Sequence, residues 1–333
     1  MLKGFKKYFS SKESQGIILI YHRILKPATD PQLLCVSPGN FAEQLKYLND
    51  NFNVMSLDDM VAGVKEKKLP EKAVAITFDD GYVDNLEFAK PVLVKHNVPA
   101  TVFVSTGYTG KNCEFWWDEL EVLLLTNSSL PHALKLKIGG KDFEWKTGKP
   151  LIQGSPQWTV LDAENPTPNH FIYRELHKLL KPISYSERES LLESIAAQSG
   201  IKRQCREHYR PMTESEIMQL AEGGLVSIGA HTVTHPALSG LTKAEQQTEI
   251  MKSKLALERI LGKNVDGFSY PYGSLNAFNK DSVEVVNALK FNYACANFQG
   301  KVANETNVFK LPRCLVRDWP AEEFAHHMKE FTL

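Results

Sequence analysis

Two short stretches of this sequence hold side chains whose types and spacing suit metal-assisted hydrolysis. Asp79 and Asp80 directly follow an apolar run, residues 73–78. His231 and His235 have three residues between them. Two histidines and one carboxylate form the ligand set of a catalytic zinc-type site, which leaves positions open for water. The alternatives are an Asp-Asp-Gly turn selected for its backbone preferences and a pair of structural histidines.

The two carboxylates are expected to have different functions. The run 73–78 predicts a strand buried on both faces, so that Asp79 and Asp80 lie at its carboxyl end, where α/β folds place their chemistry. Adjacent side chains of a strand point to opposite sides. The β-branched residues 232–234 indicate that the histidine pair lies on a turn after a strand and not on a helix.

Alternating strands and helices must position these side chains. Apolar runs predict strands at residues 16–21, 73–78, 100–104, 225–230, 266–270, 292–296 and 311–316. Periodic apolar positions and capping residues predict helices at residues 38–51, from 56 onward, and at 82–96, 213–223, 242–261, 280–290 and 321–331. Seven or eight strands with helices between them indicate an α/β fold, an irregular (β/α) barrel of seven to eight units. The strand ends that carry the carboxylates and histidines then lie on one rim.

One segment breaks this alternation and predicts an insertion. Residues 111–210 are too long for a simple crossover and are expected to be mostly helical, with a hairpin over residues 134–143. The barrel itself then comprises residues 1–110 and 211–333. An insertion in a strand-to-helix loop of this rim is expected to shape the substrate cleft.

Aromatic residues near the start of the insertion are candidates for contact with substrate. Trp116 and Trp117 offer flat faces on which a substrate ring could stack, with Asp118 beside them. The alternative is that the tryptophans form the core of a helix start.

Composition and charge exclude several classes of protein. Lys plus Arg and Asp plus Glu both number 39, so no basic excess predicts a nucleic-acid partner. Five scattered cysteines without a Cys-x-x-Cys pair argue against a disulfide framework and mildly for a reducing compartment. Without a signal-peptide pattern or a run of about 18 apolar residues, the expected location is cytoplasmic with no transmembrane segment. Weak peripheral membrane contact could come from Lys3, Phe5, Lys6, Lys7, Tyr8 and Phe9.

The two motifs resemble the polysaccharide deacetylases of carbohydrate esterase family 4, which share the NodB-homology fold. Residues 77–81 look like the first family motif and residues 231–235 like the second. The resemblance implies that Asp79 is the general base and that Asp80 and the two histidines bind one divalent ion. Zn²⁺ is the first choice, with Ni²⁺, Co²⁺ and Fe²⁺ as alternatives, because this ligand set accepts several metals. The implied substrate is an N-acetylated glycan.

The third family motif resembles residues 269–273, with one departure. It implies that the Tyr272 backbone N–H stabilises the oxyanion. Pro271 of this motif and Tyr82, which follows the first motif, are candidate substrate contacts. The family normally has an arginine where this chain has Ser269, so Arg313 is a candidate replacement. The alternative for Arg313 is a surface ion pair.

The last family motif, a strand ending in the general-acid histidine, is absent near the C-terminus. Residues 17–22 resemble that strand moved to the front of the chain, as in the circularly permuted deacetylases of bacterial exopolysaccharide systems. The resemblance implies that His22 is the general acid; a capping role is the alternative. A fourth motif is reduced to Asp318 and Trp319, and His326 and His327 are poor substitutes for the acid.

The expected activity is removal of an N-acetyl group from an amino sugar of a bacterial polysaccharide or its precursor. Two alternatives stay open at this point: an O-acetyl esterase that uses the same site, and a glycan-binding protein that has lost catalysis. The missing arginine favours the second of these, whereas the intact Asp79, Asp80, His22 and histidine pair count against it.

Overall fold

A computed structural model describes residues 14–150 and 158–332. The strands within these residues are β1 (Gln15–Tyr21), β2 (Arg23–Ile24), β3 (Cys35–Val36), β4 (Asn53–Val54), β5 (Ala73–Phe78), β6 (Ala100–Val104), β7 (Ala133–Ile138), β8 (Lys141–Lys146), β9 (Val226–Ala230), β10 (Gly267–Ser269), β11 (Tyr293–Cys295), β12 (Val302–Ala303) and β13 (Cys314–Leu315). The helices are α1 (Pro38–Asn51), α2 (Leu57–Lys65), α3 (Lys90–His96), α4 (Trp116–Glu121), α5 (Pro168–Leu180), α6 (Tyr185–Gln198), α7 (Glu214–Ala221), α8 (Lys243–Leu261), α9 (Lys280–Ala288) and α10 (Ala321–Thr332). Short π-helical segments precede α3 and follow α4, at Asn85–Ala89 and Val122–Thr126.

Within the described residues, nine strands form one large sheet. Its order is β11-β10-β9-β6-β5-β1-β12, and β13 and β4 pair with β1 and β5. Every pair is parallel except β1 with β12. All residues of β5, and all of β1 after Gln15, are buried, as expected for strands covered on both faces. The carboxyl ends of the parallel strands therefore meet at one edge.

Residues 308–315 connect the two ends of this strand order. Beside β11, the Leu311 N–H donates to the Ala294 carbonyl at 2.9 Å. A few residues later, Cys314 of β13 pairs with Leu19 of β1. The result is a curled, mostly parallel sheet, which confirms the prediction of an irregular barrel-type α/β fold. The predicted strand 311–316 is regular only at β13, because Pro312 has no N–H to donate.

The predicted helices are confirmed, and their starts show why. Ser37 and Ser56 cap α1 and α2 through their side chains. Thr213 and Thr242 open α7 and α8 with reciprocal capping boxes. These helices pack their apolar residues against the sheet, so the strand ends at the site rest on a rigid layer.

The segment between β6 and α7 has a hydrophobic core of its own. Helices α4, α5 and α6 pack around the Trp116 and Leu134 side chains, and Tyr82 and Tyr108 of the barrel loops join the same cluster. The β7–β8 hairpin confirms the hairpin predicted over residues 134–143. The division of the chain into a barrel and an insertion at residues 111–210 stays a prediction.

In the part of the chain that the structure describes, we find no helix both long and apolar enough to cross a membrane. The basic and aromatic residues considered for membrane contact, residues 3–9, lie outside the described residues.

Candidate metal-binding and catalytic site

Three side chains from two strand ends converge on one point. Asp80 follows β5, and His231 and His235 follow β9. The Asp80 Oδ1 atom lies 3.6 Å from His231 Nε2 and 3.3 Å from His235 Nε2. One potential ligand atom from each residue lies within 4.8 Å of the other two, and all three residues are buried.

The environment of these three side chains fits a divalent cation. Asp80 Oδ1 is buried and has no hydrogen-bond partner among the described residues. The His231 Nδ1–H donates to the Ser269 carbonyl at 2.8 Å, which leaves Nε2 as a free acceptor. Burial lowers the pKa of His235 to about 4, so this ring is neutral at neutral pH, as a metal ligand must be. The donor set is therefore suited to an ion with open coordination positions.

Backbone strain is concentrated around the same point. Asp80, Thr232, His235 and Tyr272 have φ angles of 75°, 64°, 55° and 60°, which non-glycine residues rarely adopt. Such conformations cost about 1–3 kcal/mol each and persist where the surrounding structure enforces them. A hydrogen bond helps to enforce these backbone conformations: the Thr232 Oγ1 atom accepts a hydrogen bond from the His235 N–H at 3.1 Å. The loops hold their side chains in place at the expense of stability.

Asp79 is paired with a buried arginine. The Arg313 Nη1 and Nη2 atoms donate to the two Asp79 carboxylate oxygens, each at 2.7 Å. Arg313 also donates to Ser269 Oγ at 2.8 Å, and Ser269 Oγ in turn donates to Asp79 at 3.0 Å. Burial raises the pKa of Asp79, but the Arg313 charge offsets this and holds the pKa below its usual value. The structure thus brings to Asp79 the arginine that the third motif lacks.

His22 lies beside Asp79 because their strands are paired. Tyr21 of β1 is in register with Phe78 of β5, and each is followed by one of the two side chains. The His22 Nδ1 atom is buried and has no hydrogen-bond partner in the described residues. Burial lowers the pKa of His22, while the nearby carboxylates of Asp80 and Asp79 act in the opposite direction. His22 is therefore a buried ring beside the two carboxylates whose Nδ1 has no fixed partner in the described residues.

Tyr272 closes another side of the site. Its ring packs edge-on against His235, with the ring centroids 4.7 Å apart. We find no hydrogen-bond acceptor for its backbone N–H among residues 14–150 and 158–332. A fixed, unpaired N–H near the converging side chains could stabilise a developing oxyanion.

These groups face a common cavity of about 280 Å³. Its lining combines strand-end residues with residues of the predicted insertion: His22, Gln32, Leu34, Asp79, Asp80, Trp117, His177, Lys181, His231, His235, Tyr272, Ser274, Asn297 and Leu315. Trp117 was predicted from sequence, and its ring lies 4.9 Å from that of His235.

Four residues predicted to contact substrate do not line this cavity, and their contact with substrate stays a prediction. Trp116 is 1% exposed within the core of the segment around α4, which is the alternative named for it. Tyr82 and Asp118 are buried behind Trp117: the Trp117 Nε1–H donates to Tyr82 Oη at 2.7 Å, and the Tyr82 hydroxyl donates to Asp118 at 2.6 Å. Pro271 is buried within its turn. These residues support the wall without forming it.

Three residues of the site carry no motif and were not anticipated. His177 and Lys181 reach the cavity from α5 and its C-terminal cap. Arg188 of α6 is 1% exposed and donates through Nη2 to the Thr234 carbonyl at 2.7 Å. In the described part of the chain, no carboxylate lies within 4 Å of its guanidinium. The sequence of α5 is amphipathic and so indicates a buried face, whereas the sequence of α6 gives no such signal.

The remnant of the fourth motif has a structural role. The Asp318 carboxylate accepts hydrogen bonds from the Ser37 N–H and Oγ–H, each at 2.8 Å, at the start of α1. His326 and His327 lie on α10 and face its glutamates, away from the cavity. Trp319 stacks on His327.

Comparisons with known proteins show which family this chain resembles. The family model "Polysaccharide deacetylase" matches residues 66–129 and 196–294. The putative polysaccharide deacetylase YxkH of Bacillus subtilis is 22% identical over 310 residues, covering 92% of this chain and 73% of that protein. A poly-β-1,6-N-acetyl-D-glucosamine N-deacetylase of Staphylococcus aureus is 30% identical over 118 residues, 32% of this chain. The chain thus matches only 41% of that relative's length.

Two solved structures share the fold. The deacetylase PplD of Streptococcus pyogenes, in complex with acetate, superposes with a TM-score of 0.59 at 19% identity, covering 95% of this chain and 99% of that one. IcaB from Ammonifex degensii gives a TM-score of 0.56 at 18% identity, covering 96% and 98%.

Proposed function

This chain belongs to the polysaccharide deacetylase family and is a hydrolase of the deacetylase type, and we propose that it removes the N-acetyl group of an amino sugar in a bacterial polysaccharide or its precursor. The observation that carries the proposal is the meeting of three groups in one cavity: the Asp79–Arg313 pair, the Asp-His-His cluster and His22. Amide hydrolysis requires a base, an acid and stabilisation of an oxyanion, and each has a candidate here.

Asp80, His231 and His235 are proposed to hold one divalent ion, with Zn²⁺ as first choice. Such an ion, when bound, supplies Lewis acidity that polarises the acetyl carbonyl and lowers the pKa of water. Nickel, cobalt and iron remain alternatives for the same ligands.

Asp79 is proposed to accept the proton of the attacking water. Arg313 keeps this carboxylate ionised by its charge and fixes its orientation through two parallel hydrogen bonds. The Tyr272 N–H then donates to the oxygen that becomes negative as the tetrahedral carbon forms. His22, beside Asp79 at the next strand end, donates a proton to the departing amine.

The paired Asp79 also bears on the two alternatives. The absence of the arginine from the third motif favoured a protein that has lost catalysis, and the pairing of Arg313 with Asp79 removes that argument. An ester substrate would need the same base and ion but no strong acid, since an alkoxide leaves more readily than an amine anion. The buried, unpartnered His22 favours the amide.

The direct test is acetate release from matched N-acetylated and O-acetylated oligosaccharides, with the protein stripped of metal and then reloaded. We expect release from the N-acetylated compounds that disappears on chelation and returns with metal. Asp80→Ala and His231→Ala should lose both bound metal and activity. The exposed His326, 71% of whose side chain is accessible, offers a matched control, and His326→Ala should change neither. Full activity in either ligand variant, or release from esters alone, would overturn the proposal.

A further inference from the structure

Lys181 is a cationic residue on the cavity wall, and none of the groups described so far pairs with it. Lys181 caps the C-terminus of α5 and lines the cavity together with His177 and Tyr272. Its ammonium nitrogen lies 5.0 Å from the centre of the Tyr272 ring. In the described part of the chain, no carboxylate lies within 4 Å of it, and it makes no side-chain hydrogen bond.

The carboxylates of the site do not account for this charge. Asp79 is already neutralised by the two hydrogen bonds from Arg313. Asp80 is surrounded by the two histidines with which it would share an ion. Burial alone lowers the pKa of Lys181, and no carboxylate contributes to raising it. Among residues 14–150 and 158–332, Lys181 therefore has no countercharge.

The neighbouring groups on the wall add no negative charge either. Burial, with a smaller effect of Lys181, lowers the pKa of His177 to about 3, so its ring is neutral at neutral pH. Tyr272 offers an aromatic face, which attracts a cation weakly and leaves its hydrogen-bond donors free. An ammonium group that is partly withdrawn from water and unpaired costs free energy. A ligand that brings an anionic group to this wall recovers that cost.

We propose that Lys181 is a specificity-determining residue that pairs with an anionic group of the substrate, carried on the acetamido sugar or on the residue next to it. The proposal rests on the proposed deacetylase function and deepens it by naming the substrate class. The shared chemistry is a carboxylate or phosphate oxygen, which an ammonium group binds as a point charge. Its sources are a sugar acid within the glycan and a phosphodiester on the glycan or its carrier.

The alternative function of Lys181 is to donate a hydrogen bond to a neutral sugar hydroxyl. Two variants of Lys181 distinguish this function from pairing with an anionic group. Lys181→Gln keeps hydrogen-bond donors but removes the charge, whereas Lys181→Arg keeps the charge. Lys178 provides a matched control: it lies three residues earlier on the same helix, is exposed, and is paired with Glu175 at 3.0 Å. Lys178→Gln therefore removes a lysine charge near, but outside, the cavity.

The experiment measures kcat/KM for acetate release from three N-acetylated oligosaccharides of equal length: a neutral one, one with a uronic acid and one with a phosphodiester. For the wild-type enzyme we expect a preference of about tenfold or more for one anionic compound, expressed mainly in KM and reduced by salt. Lys181→Gln should bring the anionic-to-neutral ratio close to one, while Lys181→Arg and Lys178→Gln should keep it. The preferred anionic compound identifies the source.

Two results would overturn the inference: equal wild-type kcat/KM for neutral and anionic compounds, or a Lys181→Gln variant that loses activity on all three compounds in the same proportion. A binding measurement tests the inference about Lys181 independently of the proposed deacetylase function. Calorimetric binding of the same oligosaccharides to the metal-loaded protein should show the same ratio and the same loss in Lys181→Gln. Selective binding without acetate release from any compound would refute the deacetylase activity and support the function of Lys181.

Discussion

Removing Arg313 tests the central pair of the site, and its cost can be worked out from the contacts. The side chain is fully buried and donates to both Asp79 oxygens, to Ser269 Oγ and, through Nε, to the Ala296 carbonyl at 2.7 Å. Arg313→Met leaves the Asp79 carboxylate buried without its countercharge. Breaking a buried pair in this way costs about 3–5 kcal/mol. That is a large part of the roughly 5–15 kcal/mol that stabilises a typical domain.

The same substitution in an Asp79→Asn background isolates the pair. Without the carboxylate, Arg313→Met should cost less by about 2 kcal/mol, because no uncompensated negative charge remains. The measurement is urea unfolding of the four proteins in the presence of chelator, so that metal binding does not contribute to stability. An equal cost of Arg313→Met in both backgrounds would refute the idea that the arginine acts through Asp79.

Moving the arginine from position 313 to position 269 extends this test to catalysis. Ser269 occupies the position of the family arginine, and its Oγ lies 3.0 Å from Asp79 Oδ2. Arg313→Ala should reduce kcat by about 100-fold or more, because the base loses its orientation and charge. Adding Ser269→Arg should recover part of kcat by filling the vacated space with a guanidinium from the other side. If Ser269→Arg recovers no activity while the protein stays folded and binds metal, Arg313 has a function other than supporting the base.

Two further predictions concern the walls of the site. Arg188→Met should weaken zinc binding by about tenfold or more, because the Thr234 carbonyl next to a metal ligand loses its buried donor; competition with a fluorescent chelator measures this, and unchanged affinity would contradict it. Burial raises the pKa of Asp118 to about 8, above the value of about 4 in an unfolded chain, so the folded protein holds the extra proton between these values. The free energy of unfolding should therefore fall as pH rises from about 4 to about 8, and Asp118→Asn should remove that part of the slope in urea titrations. An unchanged slope would show that Asp118 is already ionised when folded.

Local patterns were sufficient to predict most of the fold and the centre of the site. Strands β1 and β5 are continuous apolar runs, and their ends carry His22, Asp79 and Asp80, so one pattern predicted both the elements and the chemistry. Asp79 and Asp80 do have different principal partners, Arg313 and the histidines. The physical reason differs from the strand alternation that was expected, because both residues follow the end of β5 and Asp80 has a φ angle of 75°.

Contacts between segments that are far apart in the chain could not be predicted from the sequence. Trp116 and Trp117 are adjacent and chemically alike, and only the packing of α4 shows that one faces the core and the other the cavity. Lys181 and Arg188 come from helices whose placement depends on tertiary packing rather than on any local motif. Arg313 was suggested only by the family resemblance, since 234 residues separate it from Asp79.

The link that residues 308–315 make between the two ends of the sheet has a consequence for biosynthesis. Chains are made from the N-terminus, so Asp79 leaves the ribosome long before Arg313 exists. A nascent chain that has folded β1 through β11 still holds a buried carboxylate with no guanidinium beside it, which disfavours premature closure. The closing segment delivers Arg313 and pairs with β1 in the same step. Closure of the sheet beside β1 and formation of the Asp79–Arg313 pair therefore depend on the same late-synthesised segment.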